Sequence, residues 1–261
     1  MLKINFFEEF PDENSLSKVS LIDFPSLIFI AARSYSEFIK FSAMAKNFNP
    51  HIGIAYWPIL EKSYWISPFS FQEELIHLYD DLRNNRQKEK LSILLDLELP
   101  LLNKKLFIRN LFHFARNKKV IRKIFSDATL LNIDILTAEY PLSSRILNRI
   151  LRFLGISYPV LVYPHKRIVM FYTSMIRKKS VHNHILKHII RQSHEMGDNY
   201  HVGLGCLDTG IFGNEPLITA ENLHRDLSFL EDAGVKTATL FQLSGLNDSY
   251  LNVIRKFAFK N

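Results

Sequence analysis

A single cysteine, Cys206, in 261 residues excludes an internal disulfide framework, and a reducing, cytoplasmic compartment is the expectation for such a chain. Nine glycines and ten prolines are too few for a fibrous or low-complexity chain. No run of about eighteen uncharged apolar residues occurs, so no transmembrane helix is expected. The nearest candidate, 156–176, is interrupted by Pro159, Pro164 and the triplet His165-Lys166-Arg167. The first nine residues lack the basic stretch and long apolar core of a secretory signal. Also missing are a dinucleotide-binding Gly-x-Gly-x-x-Gly after the first strand, a P-loop, zinc-spaced cysteines and a Gly-x-Ser-x-Gly elbow. Neither a cofactor nor a metal is therefore expected.

What is present is a chain 47% hydrophobic and 23% charged, in which strand-like and helix-like stretches alternate eight times. Strands are expected at 3–7, 27–32, 51–56, 91–99, 133–138, 168–172, 200–206 and 237–243. Helix signals lie between them. Ser34 can cap a helix with Glu37 completing a capping box, and 70–83 carries Glu73 and Glu74 in its first turn. Helical periodicity runs through 104–132. Ser143 or Ser144 opens a helix that Gly155 closes, and further helices are expected at 180–196, 219–234 and 248–257. The strands are uniformly apolar rather than alternating, which marks a parallel sheet covered on both faces. Eight such units predict one domain, 1–261, folded as a parallel (β/α)8 TIM barrel. An open doubly wound sheet is the alternative, and its glycine fingerprint is absent.

Active sites of such barrels lie at the carboxyl ends of the strands. The fourth strand, Leu-Ser-Ile-Leu-Leu-Asp-Leu-Glu-Leu before Pro100, ends in Asp96 and Glu98, which share a side because strand residues two apart do. Carboxylates are seldom buried without partners. The pair is either structural and ion-paired, or catalytic, with repulsion raising one pKa to give an acid beside a base. Other strand ends carry Glu8 and Glu9, Arg33, Tyr56 and Trp57, Glu139 and Tyr140, Tyr172, Asp208, and Gln242. Acids and amides bind hydroxyls, aromatic faces stack on pyranose rings, and paired carboxylates do acid–base work, so this rim suits a sugar. Glu98, Asp96 and Glu139 are the expected catalytic residues. Glu8, Arg33, Tyr56, Trp57, Tyr172, Asp208 and Gln242 are the expected substrate contacts, and the aromatic loop 59–70, with Tyr64 and Trp65, is a further candidate. Plain packing competes for Tyr56 and Trp57, and a salt bridge competes for Glu139. Gly203 and Gly205 allow close backbone approach. Cys206 reads as a small buried hydrophobe. His184 and His188 have metal-ligand spacing but lie on an outer helix.

Two of these segments resemble the chitinase-like glycoside hydrolases. Asp96-Leu97-Glu98 is similar to the Asp-x-Glu ending of that family's signature, and Met170-Phe171-Tyr172 to its Met-x-Tyr motif. Ser92–Leu95 departs from the family's earlier aspartates and glycines, and Thr173 follows the tyrosine. The resemblance implies a barrel in which Glu98 is the general acid, Asp96 its partner, and Tyr172 steadies the reacting sugar.

Three readings follow: a carbohydrate-active hydrolase with a small-molecule or oligosaccharide substrate; an isomerase- or lyase-type barrel holding a divalent metal through Asp96, Glu98 and Glu139; and a non-catalytic barrel. The net charge of +7 permits an anionic partner without demanding one. The basic, amphipathic stretch 104–125 favours peripheral contact with an anionic membrane surface. Nucleic acid is not expected, because basic residues and aromatics are not interleaved on strands.

Overall fold

The computed structural model describes residues 1–85, 90–99, 104–141, 144–176, 178–211 and 213–259. Pro100, Ser143, Arg177 and positions 86–89 of the expected polar turn lie outside the described residues. Strands β1 (Lys3–Glu8), β2 (Leu27–Ala32), β3 (Gly53–Pro58), β4 (Leu91–Asp96), β5 (Ile133–Glu139), β6 (Lys166–Met170), β7 (Tyr200–Gly205) and β8 (Thr237–Phe241) pair in parallel, each with the next. β8 returns to β1, closing the barrel. The helices are α1 (Glu13–Ser17), α2 (Tyr35–Phe48), α3 (Gln72–Asn84), α4 (Lys104–Arg109), α5 (Phe114–Ser126), α6 (Ala128–Leu131), α7 (Arg145–Leu154), α8 (Lys179–Met196), α9 (Ala220–Asp232) and α10 (Asp248–Ala258). The expected (β/α)8 architecture is the observed one.

Local chemistry sets the helix ends. Ser34 Oγ accepts from Glu37 N–H at 3.2 Å, but Glu37 returns its carboxylate to Arg33 N–H rather than to Ser34. Asp12 and Ser15 form a full capping box at α1. Ser144 and Thr219 cap α7 and α9. Gly155 ends α7 at φ +71, a left-handed value that suits glycine. The stretch 104–132 is not one helix. It breaks at Asn110, whose side-chain amide leaves the helix to bind Phe69 O at 2.9 Å.

The strands are apolar on both sides because they serve two cores. Phe6, Ile28, Ile30, Tyr56, Ile93 and Leu95 point outward against the helices. Phe7, Phe29, Ala31, Trp57, Leu94, Leu136 and Ile168 fill the barrel with Cys206, which is buried there as a small hydrophobe. Parallel register keeps each inner set in phase: Phe7 pairs with Phe29, Ala31 with Trp57, and Asp96 with Ala138.

The loops after β7 and β8 touch at Gly245, where an added Cβ would lie 2.2 Å from Leu207 O. Backbone cannot yield as a side-chain tip can. Gly245→Ala is expected to destabilise the fold by on the order of 1–3 kcal/mol, read as a lowered thermal midpoint. An unchanged midpoint would mean the two loops do not pack this closely.

Candidate active site at the carboxyl rim

A cavity of about 350 Å³ opens at the carboxyl ends of the strands, within the range of small-ligand sites. Asp96 and Glu98 enter it from the end of β4, Glu9 from β1, Tyr140 from β5, Tyr172 after β6, and Glu215 from the long loop after β7. Trp57, Trp65 and Phe241 supply apolar wall. Tyr172 lies 5.8 Å from the Phe241 ring, centroid to centroid. It has room there because Gly205 carries no side chain: an alanine Cβ would stand 2.8 Å from the tyrosine ring.

The acids have different partners. Glu98 Oε2 accepts from Tyr140 O–H at 3.4 Å. Glu9 is pinned on two sides: Tyr64 O–H donates to its Oε1, and its backbone N–H donates to Gln242 Oε1 at 3.1 Å. Asp96 is buried, and its Oδ1 has no hydrogen-bond partner among the described residues; neither has Trp57 Nε1. An unpaired acceptor and an unpaired donor on one cavity wall are what a polar ligand would satisfy.

Burial dominates the electrostatics. It pushes the Glu98 carboxyl up to about 7, with Tyr140 O–H pulling down and Glu9 pushing up. It also raises Glu9 to about 7, opposed by Tyr64 O–H and reinforced by Glu215. Asp96 is held well above the usual carboxylate range by burial, then by Glu98 and Glu9. Three mutually repelling carboxyls in one cavity share protons as a group.

Asp96, Glu98, Trp57 and Tyr172 thus meet in one cavity, whereas the other expected site residues do not line it. Glu139 points outward from β5. It accepts from Arg167 through both oxygens and from Thr137 Oγ1 at 2.8 Å, and His165 Nε2 lies 3.7 Å away. Although burial opposes ionisation, Arg167 and His165 hold Glu139 down at about 2, so it is a structural ion pair. The metal-binding set Asp96, Glu98 and Glu139 therefore does not converge. Glu8 also faces outward, accepting from Phe10 and Ser244 N–H at 3.1 and 2.9 Å. Burial raises it to about 7 as well, so the shift alone does not mark the site. Tyr56 stacks on Phe38 at 4.9 Å in the outer core. With Arg33, it borders a separate surface depression beside α3. Asp208 accepts from Ser244 Oγ at 2.9 Å, and Gln242 bridges Glu9 N–H and Thr209 O. Both fasten rim loops, and Gln242 positions Glu9.

Neither a protein-family model nor a curated protein matches the sequence. Solved structures do. The spore cortex-lytic enzyme SleL of Bacillus cereus superposes with a TM-score of 0.62 at 8% identity, over 99% of this chain and 74% of that one. A class V chitinase from Pseudomonas fluorescens gives 0.59 at 9% identity, over 98% and 99% of the two chains. The fold they share with this chain is the TIM barrel. At such identities the likeness is one of fold, and D-allulose 3-epimerase from Methylomonas shares it with a TM-score of 0.54 at 12% identity, over 98% of each chain. Function in such a barrel rests on the site.

Of the cavity-lining residues, sequence reasoning did not select Glu9, Tyr140 and Glu215. The first two are chain neighbours of residues it chose, Glu8 and Glu139. Strand parity carries the signal. Asp96 faces Ala138, so the next inward residue of β5 is Tyr140; Phe7 faces inward, so its successor on that side is Glu9.

Proposed function

We propose that this protein is a glycoside hydrolase whose catalytic acid is Glu98. The supporting observation is the convergence of Glu9, Asp96 and Glu98, all with raised pKa values, on one aromatic-walled cavity at the carboxyl rim. A carboxyl near 7 is still half protonated at neutral pH and can give its proton to a leaving glycosidic oxygen. Burial and the nearby Glu9 charge disfavour ionisation of Glu98 and so keep that proton available. Glu9, ionised in the same ensemble, supplies the negative charge that an oxocarbenium-like transition state requires, in place of Glu139 as the second catalytic carboxylate. Trp57, Tyr172 and Phe241 offer ring faces for pyranose C–H surfaces. No Lys, Arg or His lines the cavity among the described residues, so the sugar is neutral or positively charged, not a uronate or sugar phosphate.

The test is hydrolysis of a panel of aryl glycosides and oligosaccharides that includes neutral, amino and uronic sugars. Neutral or amino glycosides are expected to be cleaved, with kcat/KM falling above about pH 7 as the acid deprotonates, and with no response to chelators. Cleavage of uronides alone, a rate rising through pH 7, or neither cleavage nor sugar binding would overturn the reading.

A further inference from the structure

The positive charge of this molecule is concentrated on one side. Between positions 99 and 194 the sequence has eighteen lysines and arginines against three acids, Asp127, Asp134 and Glu139, and the remainder of the chain is net negative. Two of those acids are already neutralised: Glu139 by Arg167, and Asp134 by Lys90 and Lys166. The sector built on β4, β5 and β6 is therefore strongly basic.

α7 sits in this sector with little of its surface covered. Asn148, Leu151 and Leu154 are half-buried, whereas Ile146, Ile150 and Phe153, spaced to share one face, are 71%, 46% and 70% exposed. Arg149 and Arg152 are exposed beside them. Lys118 of α5 anchors the end of the helix, donating to Arg152 O at 3.1 Å and to Phe153 O. The Phe153 ring lies 6.1 Å from Phe114 at the start of α5. Two residues before Phe114, Phe112 is 94% exposed. Single exposed apolar residues are ordinary. A helix with no acid, one apolar face and flanking arginines, joined to a second exposed aromatic turn, is an interfacial pattern. In the chain, α7 begins four residues after Pro141, which lines the cavity.

We propose that α7 and the turn before α5 dock this protein on an anionic lipid surface. Ile150 and Phe153 enter the boundary between headgroups and acyl chains, while Arg149 and Arg152 meet lipid phosphates. A second copy of this chain is a poorer occupant, since it would bring the same positive charge against itself. A nucleic acid would satisfy the basic groups but leave Phe112 and Phe153 without apolar contact. No helix among the described residues is long and apolar enough to cross a membrane, so the attachment proposed is peripheral.

The experiment is sedimentation of the full chain with vesicles of pure phosphatidylcholine, and with vesicles of equimolar phosphatidylcholine and phosphatidylglycerol. Binding is expected to the mixed vesicles alone, and to weaken with salt. Arg149→Gln with Arg152→Gln should weaken it about 25-fold, at about fivefold per charge. Ile150→Ser with Phe153→Ser should weaken it at least about tenfold. All four side chains are exposed, so the variants should fold with thermal midpoints lowered by no more than a few degrees, and Phe153→Trp should show a blue-shifted emission on mixed vesicles. Absence of binding, or equal binding to both vesicles, overturns the proposal. So does loss in the arginine variant with full retention in the Ile150/Phe153 variant, which is the behaviour of a generic polyanion site. Self-association in sedimentation velocity that Phe153→Ser abolishes would assign the face to a second copy instead.

Discussion

Glu98→Gln should abolish turnover and at the same time stabilise the protein at pH 8. The amide keeps the shape and the contact with Tyr140 O–H but has no proton to give. Loss of a general acid costs about 10²–10⁴ in rate. The stability effect follows from linkage. The Glu98 carboxyl is raised from 4.5 to about 7 in the folded chain, so folding favours its protonated form. Below about pH 4.5 both states are protonated and nothing is lost. Between about 4.5 and 7 the unfolded chain ionises first, and stability falls as pH rises. Above about 7 the penalty is complete, on the order of 3 kcal/mol at most for one such group. Glutamine carries no such penalty, so its advantage should be absent at pH 4 and full at pH 8. Thermal melts at the two pH values, beside single-turnover rates, make the measurement. Undiminished turnover would remove Glu98 from the mechanism, and a variant less stable than the parent at pH 8 would remove the repulsive cluster.

Glu139→Gln should do the reverse. Glu139 is ionised, buried and paired with Arg167. Removing one partner strands the other charge in the outer core, at a cost of about 3–5 kcal/mol, which for a chain of this size lowers the midpoint by about ten degrees. Its folded pKa of about 2 lies below the ordinary 4.5. The stabilisation is therefore present above about pH 4.5 and fades as pH falls towards 2. The folded variant should retain its turnover, because Glu139 does not line the cavity. Replacing both partners, Glu139→Leu with Arg167→Met, should recover much of the lost stability, since a well-packed apolar pair often substitutes for a buried ion pair. Loss of activity in a variant that is still folded would return Glu139 to the site.

The contrast between these two glutamates, both at the carboxyl ends of neighbouring strands, shows where sequence reasoning stopped. A half-exposed strand announces its inner face by alternation. Strands 133–139 and 91–96 are buried on both sides, so their residues are apolar in both phases and carry no such mark. The sequence left Asp96 and Glu98 on a common side whatever the phase, because they are two apart, and that much of the site was legible. It had no means of phasing β5 or β1 against β4. A slip of one residue exchanges Glu139 for Tyr140 and Glu8 for Glu9. Arg167 likewise falls just outside the strand expected at 168–172, although it lies within β6 and its outward direction is what claims Glu139.

By itself, then, the sequence determined the eight alternations, the parallel closed sheet they require, the capping serines, and the acidic pair at the end of the fourth strand. These are local properties of period, composition and turn chemistry, written within a few residues of where they act. Only the tertiary structure decided which carboxyl joins that pair, because the choice depends on the register between strands distant in sequence. It also decided that the apolar face of α7 is uncovered. The helical period of 145–154 shows that such a face exists, but only the packing of other elements determines whether anything covers it.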